Sequence, residues 1–303
     1  MQSNDFKEGI LLLVCRKKDR SRILDHLSYI NWKKIYHFNF SEKRNKFFVI
    51  LKIIYFKFFI LRIIKKFDIN ELYLSSINNY IQLITMCLFG DGGKIVLMAD
   101  GMQQIIVNSE RNEGIYSTRS LPKSFSLLGI RECSLTKFSF LTPYNLVELN
   151  DEIIFKPFTK KRVCNLNSSE MGFIGMPVVD LGIVTAESHI KNLYDIKDKF
   201  PDLNFVYFAH PSESKFVIDK ISKHFNVKSL DFIFEEYVSK ENNVPRKIIS
   251  YYSSVLLNLN LLFDEFDINY FELDNVLRSD LNLKIKLIYN YFEKISSSNF
   301  NKF

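Results

Sequence analysis

The feature that most constrains the fold is a repeated alternation of short apolar runs with longer helical segments. In the first half, apolar runs at 10–15, 71–75 and 94–99 alternate with segments of helical character. The second half repeats the pattern, with runs at 171–179 and 247–252. Such alternation predicts parallel sheets with helices on both faces. We therefore predict an α/β protein with two Rossmann-like halves facing one cleft.

The length of 303 residues suits two domains of ordinary size. We predict an N-terminal Rossmann-like domain at 1–168 and a C-terminal Rossmann-like domain at 169–284. A C-terminal helix and a frayed tail are expected at 285–303. Hydrophobic residues make up 47% of the chain and charged residues 25%, which is typical of a globular protein with a full core.

The formal net charge of +7 favours anionic partners such as nucleotides, phosphates, acidic glycans or an anionic membrane face. No named nucleic-acid-binding module is recognisable, so no nucleic-acid partner is predicted. The four cysteines, Cys15, Cys87, Cys133 and Cys164, are far apart in the sequence. Their spacing makes a zinc site and a disulfide framework poor interpretations and favours reduced thiols in the cytoplasm.

The segment 46–67 is rich in Phe, Ile and Leu but is interrupted by Lys52, Lys57 and Arg62. A membrane-spanning helix needs about 20 residues nearly free of charge. We favour a mostly buried helix whose basic side chains reach solvent, over a helix lying in a membrane interface.

The run 204–209 is aromatic and β-branched, which predicts a strand buried on both faces of a sheet. His210 and Pro211 follow it directly, and a proline there ends the strand. Ligands of open α/β sheets bind beyond the carboxyl ends of the strands, which makes His210 a candidate binding residue. A histidine that merely turns the chain into the next helix is the alternative.

Three further polar elements lie at or between predicted strand ends. Asp100 and Gly101 follow the run 94–99 as a candidate general base with a close-approach glycine, or as a turn cap. Ser253 and Ser254 follow the run 247–252, as phosphate ligands or as an ordinary helix N-cap. Between His210 and these serines lies the pair Glu235 and Glu236, which suits ribose hydroxyls or a solvated acidic face.

Taken in order, these elements and the Ile174-Gly175-Met176-Pro177 segment resemble the bacterial sialyltransferases, closest to the lipooligosaccharide sialyltransferases of glycosyltransferase family 52. The resemblance runs over most of the chain and is strongest from 172 to 257. It implies a GT-B fold and an inverting, metal-independent transfer of sialic acid or a related nonulosonic acid. The implied donor is a CMP-sugar bound by the C-terminal domain at 169–284. The implied acceptor is a glycan or glycolipid such as lipooligosaccharide or capsule, bound by the N-terminal domain at 1–168.

The resemblance also implies residue roles. Asp100 would be the catalytic base, although Ala99 replaces the first acid of the family's acidic motif. His210 would assist departure of the phosphate. Gly101 and Gln103 would lie on the acceptor side. The residues implied in nucleotide binding are His210, Pro211, Gly175, Ser253, Ser254 and, for the ribose, Glu236 ahead of Glu235.

Two other functions remain open on the sequence. One is a glycosyltransferase of the same fold that uses CMP-Kdo, CMP-legionaminate or a UDP-sugar. The other is a non-catalytic nucleotide-binding assembly protein, motivated by Ala99. No cofactor and no metal are expected, because no Asp-x-Asp element stands in a convincing setting. We expect a cytoplasmic location, with peripheral attachment to the inner membrane as a hypothesis.

Overall fold

The computed structural model describes residues 9–15, 24, 32–39, 46–76, 79–90, 93–98, 101–114, 123–130, 138–163, 165–231, 233–241 and 243–303. The chain divides into two compact units. The first comprises 1–97 and 117–139, and the second comprises 98–116 and 140–303. This division differs from the predicted boundary at 168/169, because 98–116 and 140–168 belong to the second unit.

Two pairs of parallel strands organise the first unit. β1 (Ile10–Cys15) pairs with β2 (Lys34–Asn39), and β3 (Glu71–Leu74) pairs with the start of β4 (Lys94–Met98). The helices are α1 (Lys46–Phe67), α2 (Tyr80–Phe89) and the short α4 (Lys123–Leu127). The predicted helix at 20–27 lies almost entirely outside the described residues.

One face of α1 enters the core of the first unit. Ile53, Phe56, Ile60 and Ile63 recur at intervals of three and four residues, and each is buried. Of these, Ile53, Phe56 and Ile60 pack in one cluster with Phe38 of β2 and residues of α2. The interpretation of α1 as a mostly buried helix therefore holds for this face alone.

The second unit is built on a six-stranded sheet in which every pairing is parallel, with the order β12-β11-β10-β7-β8-β9. Its strands are β7 (Leu166–Ile174), β8 (Asn204–Ala209), β9 (Asn226–Ser229), β10 (Val244–Ser250), β11 (Asp267–Tyr270) and β12 (Phe300–Lys302). Five helices alternate with them: α5 (Ala186–Asp198), α6 (Lys215–Ser222), α7 (Phe234–Lys240), α8 (Ser254–Leu262) and α9 (Ser279–Ile295). The predicted α/β class with Rossmann-like parallel sheets is confirmed.

Shorter elements complete the second unit. β5 (Ser139–Thr142), which begins at the last residue of the first unit, is hydrogen-bonded to β6 (Glu152–Phe155). α3 (Met102–Asn112) packs on α9, where Lys284 lies 3.9 Å from Glu110. Arg111 of α3 forms a buried ion pair with Asp151 at 2.5 Å.

The C-terminal tail ends in an ordered strand, β12, and not in the frayed segment that the sequence predicts. β12 pairs in parallel with β11, and Phe300 is fully buried against Tyr270 and Phe292. Burial of an aromatic side chain stabilises a strand that is too short to be recognised from its sequence. The segment 285–303 is thus part of the second unit rather than a separate appendage.

Candidate functional site

The candidate site lies at the topological switch point of the six-stranded sheet, where the strand order reverses its direction. From β7 the chain adds β8 and β9 on one side of the sheet, and then adds β10, β11 and β12 on the other. The crevice beyond the carboxyl ends of the strands at such a switch point is the usual ligand-binding place in open α/β sheets. Gly175 follows β7, His210 follows β8, and Ser253 and Ser254 follow β10. Three of the predicted elements therefore follow three adjacent strands.

His210 presents a defined donor. The backbone N–H of Ser212 donates to His210 Nδ1 at 3.0 Å, so the ring accepts at that nitrogen and carries its proton on Nε2. The backbone N–H of Glu213 donates to the His210 carbonyl at 2.9 Å and closes the turn. Partial burial lowers the pKa of His210, which favours the neutral ring with an Nε2–H donor. Pro211 in this turn is exposed.

Ser253 and Ser254 begin α8. Ser253 is the N-cap, and its side chain accepts from the backbone N–H of Val255 at 3.3 Å. The ordinary N-cap interpretation is thus correct for Ser253. Ser254 is the first residue of this nine-residue helix. The backbone N–H groups and the positive potential at the helix N-terminus favour an anion beside it.

Gly101 contacts the start of α8. It has a φ of +55°, and a Cβ placed on it would lie 2.7 Å from Ser254 Cβ. Both the backbone angle and the close approach require glycine here. Asp100, the predicted base, and Ala99 lie outside the described residues. Gln103 lies in the first turn of α3 and is half-buried.

The two candidate ribose ligands have different partners. Glu235 accepts a hydrogen bond from Asn258 of α8 at 2.7 Å, which connects it to the helix that begins at Ser254. Glu236 pairs with Lys240 one turn along α7 at 2.5 Å. Glu235, rather than the preferred Glu236, therefore contacts α8, the helix that begins at Ser254.

Glu213 is the main feature that the sequence reasoning missed. This carboxylate is 7% exposed and accepts from the Tyr207 hydroxyl and from the His210 backbone N–H, each at 2.6 Å. Burial is the largest influence and raises its pKa to about 7. A Cβ on Gly175 would lie 2.6 Å from Glu213 Oε2, so this glycine makes room for the carboxylate.

His189 is buried, with 1% of its surface exposed. Its Nδ1 lies 2.6 Å from the Tyr251 hydroxyl, and its Nε2 lies 3.3 Å from the Tyr207 hydroxyl. Burial lowers the pKa of His189 to about 4, so the ring is neutral at pH 7. No sequence signal pointed to this contact, because the three residues come from different elements.

Within the described ranges, no group of three or more His, Cys, Asp or Glu side chains is arranged to hold a metal ion. A membrane-crossing helix, judged by length and apolarity, is likewise not found among the helices that the structure describes.

Comparison with known proteins gives a fold likeness only. No protein-family model matches the chain, and no curated protein matches it. Among solved structures, S. aureus MnaA in a co-structure with UDP matches with a TM-score of 0.47 and 9% identity, over 96% of this chain and 92% of that one. A UDP-GlcNAc 2-epimerase from Methanocaldococcus jannaschii matches with a TM-score of 0.43 and 11% identity, over 96% of this chain and 95% of that one. The same enzyme in complex with UDP-GlcNAc and UDP gives a TM-score of 0.45. Likeness at this level does not assign an activity.

These findings correct the predicted family. The resemblance to sialyltransferases of glycosyltransferase family 52 is wrong: no family model supports it, and the structural matches are proteins bound to UDP or named as UDP-GlcNAc 2-epimerases. The predictions of a CMP-sugar donor and of a lipooligosaccharide or capsule acceptor fall with it. The reason is physical, since the dipeptides that carried the resemblance also satisfy local needs of the fold, such as the N-cap at Ser253.

Proposed function

We propose that the protein is an enzyme that binds a nucleoside diphosphate sugar, a UDP-sugar first among them, at the carboxyl ends of β7, β8 and β10. The observation that carries the proposal is the switch point between β7 and β10, flanked by the Nε2–H of His210 and the N-terminus of α8. Both are donors that phosphoryl oxygens accept without a metal.

The separation of the two donors supports a diphosphate. His210 follows β8 and Ser254 follows β10, with β7 between them. Neighbouring strands are about 4.8 Å apart, so the two strand ends are about 10 Å apart. Two phosphoryl groups in series span such a distance better than one. The UDP of the matched structures suggests which nucleotide to test first.

For the chemistry we propose Asp100 as the carboxylate that transfers a proton. It immediately precedes Gly101, whose close contact with Ser254 brings this part of the chain to the start of α8. We propose Glu235 as the ribose ligand, because Asn258 fixes it to α8. Asp100→Asn should then bind UDP like the wild type and lose at least about 100-fold in turnover.

Isothermal titration with UDP tests the binding proposal, with CMP as the comparison and EDTA present throughout. We expect UDP to bind in preference to CMP, and His210→Phe to weaken UDP binding at least about tenfold through loss of one charge-assisted hydrogen bond. His224→Phe is the matched control, because His224 is exposed and bonds Tyr194 away from the switch point. Equal UDP affinity in the His210 variant and the wild type would refute the assignment. Mass and NMR analysis of the products then separates sugar transfer from epimerisation.

A second proposal concerns location, and it rests on the outer face of α1. Leu51, Tyr55 and Phe58 are 45%, 65% and 64% exposed and recur at intervals of four and three residues. Arg62, Lys65 and Lys66 continue the same stripe and are exposed. We propose that this stripe, which we call the outer face of α1, lies on an anionic lipid surface in the cytoplasm.

The charges of α1 favour lipid over a second copy of the chain. The sequence of the helix contains six Lys and Arg residues and no Asp or Glu. Two copies of this face would bring basic groups together without an acid on either helix, whereas anionic headgroups complement them.

Co-sedimentation with vesicles at low salt tests the attachment. We expect binding to vesicles of phosphatidylcholine with phosphatidylglycerol, much weaker binding to phosphatidylcholine alone, and loss of binding in the double variant Tyr55→Ser, Phe58→Ser. Phe216→Ser, an exposed aromatic of α6 in the second unit, is the matched control. Concentration-dependent dimerisation that the double variant abolishes, without vesicle binding, would refute the lipid assignment in favour of a second copy.

A further inference from the structure

A continuous row of buried polar side chains runs from Tyr251, after β10, to the turn at His210. The Tyr251 hydroxyl lies 2.6 Å from His189 Nδ1, and His189 Nε2 lies 3.3 Å from the Tyr207 hydroxyl. Tyr207 donates to Glu213 Oε1, and the His210 N–H donates to Glu213 Oε2. All four side chains are buried, the most exposed being Glu213 at 7%. We call the row Tyr251–His189–Tyr207–Glu213 the buried relay.

An ionised Glu213 fixes the direction of every hydrogen bond in the buried relay. A carboxylate only accepts, so Tyr207 must donate to it, as observed. The Tyr207 oxygen is then free to accept from His189 Nε2–H. His189 is neutral and has one proton on its ring, so its Nδ1 accepts from the Tyr251 hydroxyl. Every buried group in this arrangement has a partner.

A proton added to Glu213 reverses the relay without leaving a group unsatisfied. In the protonated state the O–H of Glu213 donates to the Tyr207 oxygen, and the Tyr207 hydroxyl donates to His189 Nε2. His189 carries its one proton on Nδ1 and donates it to the Tyr251 oxygen. Tyr251 also hydrogen-bonds Asn192, whose amide can donate or accept, so its own proton has a partner. The protons balance if each moves one place: Tyr207 passes its proton to Glu213, His189 passes its Nε2 proton to Tyr207, Tyr251 passes its proton to His189 Nδ1, and a proton from solvent replaces that of Tyr251. Only Glu213 changes its charge.

We propose that Glu213 is a positioning residue for His210, and that the buried relay transmits the protonation of Glu213 to His189 as a change of imidazole tautomer. The Glu213 carboxylate fixes the turn by accepting from the backbone N–H of His210, while the Nε2–H of the His210 ring stays available to a ligand. The statement about His210 as a ligand donor rests on the proposed function, whereas the tautomer change does not.

The surroundings of Glu213 place its protonation in an accessible pH range. Burial raises its pKa to about 7, the two hydrogen bonds that it accepts lower it, and the charge of Asp180 raises it. Asp180 accepts from the Ser214 N–H at 2.9 Å and lies on the segment after β7. Among the residues that the structure describes, the titratable groups that influence or contact Glu213 are Asp180, Tyr207, His210 and Tyr251, and no Lys or Arg is among them.

Long-range ¹H–¹⁵N correlation spectra of the histidine-labelled protein, recorded without nucleotide, test the inference. His189 is assigned by replacing each of the other four histidines in turn. We expect wild-type His189 to be the Nε2–H tautomer at pH 8.5 and the Nδ1–H tautomer at pH 5.5. Glu213→Gln should give the Nδ1–H tautomer at both pH values, because the amide of Gln always donates to Tyr207 when its oxygen accepts from His210.

An exposed glutamate provides the control. Glu241→Gln, at the end of α7, should leave the tautomer change of His189 as in the wild type. A wild-type His189 that keeps one tautomer at both pH values would overturn the inference, and so would a pH-dependent tautomer in Glu213→Gln. The wild-type titration decides the matter even if Glu213→Gln does not fold. Failure of UDP binding would refute the proposed function and leave this result standing.

Discussion

The replacement Glu213→Gln should change how the stability of the second unit depends on pH. The pKa of Glu213 rises from 4.5 to about 7 on folding. A carboxyl group with a raised pKa stabilises the fold below its unfolded pKa, and this contribution is lost as the pH rises through the folded value. Between pH 5.0 and pH 8.5 the loss amounts to about 2–3 kcal/mol. Glutamine does not titrate, so the variant lacks this term.

The lowered pKa of His189 changes the pH dependence of stability in the opposite direction, so it partly masks the contribution of Glu213 in the wild type. Its pKa falls from 6.5 to about 4 on folding. Its contribution is complete above pH 6.5 and is lost as the pH falls, by about 2 kcal/mol between pH 8.5 and pH 5.0. The two contributions nearly cancel in the wild type. In Glu213→Gln only the His189 term remains, so the variant should weaken on acidification relative to the wild type.

Urea unfolding monitored by far-UV circular dichroism measures this difference. The single tryptophan, Trp32, belongs to the first unit and does not report on the second. The difference in unfolding free energy between wild type and Glu213→Gln should grow by about 2–3 kcal/mol from pH 8.5 to pH 5.0. That is a relative midpoint shift of about 1 M urea at m of about 2–3 kcal/mol/M. Glu241→Gln should run parallel to the wild type. Parallel curves for Glu213→Gln would refute the assignment of a raised pKa to this carboxyl group.

Three further substitutions test packing and charge pairing within the second unit. Gly175→Ala should destabilise the fold by about 1–3 kcal/mol in urea unfolding, because the added methyl group would lie 2.8 Å from the Phe208 carbonyl oxygen and 2.6 Å from Glu213 Oε2. Gly182→Ala is the control for backbone strain without crowding, because Gly182 has a φ of +65° and nothing lies within 4 Å of the added carbon. Phe300→Ala should cost about 3–5 kcal/mol in thermal or urea unfolding, and a loss below about 1 kcal/mol would restore the frayed-tail prediction. Asp151→Asn should cost about 3 kcal/mol or more in urea unfolding, because it removes the negative charge that pairs with the buried Arg111 guanidinium, and the double replacement of both by Leu should recover much of that loss.

The strand that leads to the site was predictable because its signal is local. The aromatic and β-branched run at 204–209 is β8 at the same residues, and Pro211 ends it as expected. β10 was placed at 247–252 but spans Val244–Ser250. This strand contains Pro245, although proline is rare within sheets. The structure accommodates it by a shift of register between Pro245 and Lys247.

The buried relay was not predictable, because no local rule pairs its members. His189 and Glu213 lie on opposite sides of β8 in the sequence and meet through Tyr207 within it. A strand buried on both faces favours apolar side chains, so a tyrosine in its centre needs a polar partner. That requirement is the one sequence signal available, and it indicates that a partner exists without saying which residue supplies it.

The error over the family and the success over the fold have one cause. A proline that ends a strand at 211 and a serine that caps a helix at 253 are required by the turn and the helix in which they stand. Such residues recur wherever parallel strands lead into helices, so their order along the chain reports the architecture. Because backbone geometry alone requires them, they cannot distinguish a cytidine nucleotide from a uridine nucleotide. The strand ends are therefore where we propose that a nucleotide sugar binds, and the choice among nucleotides falls to the direct comparison of UDP with CMP.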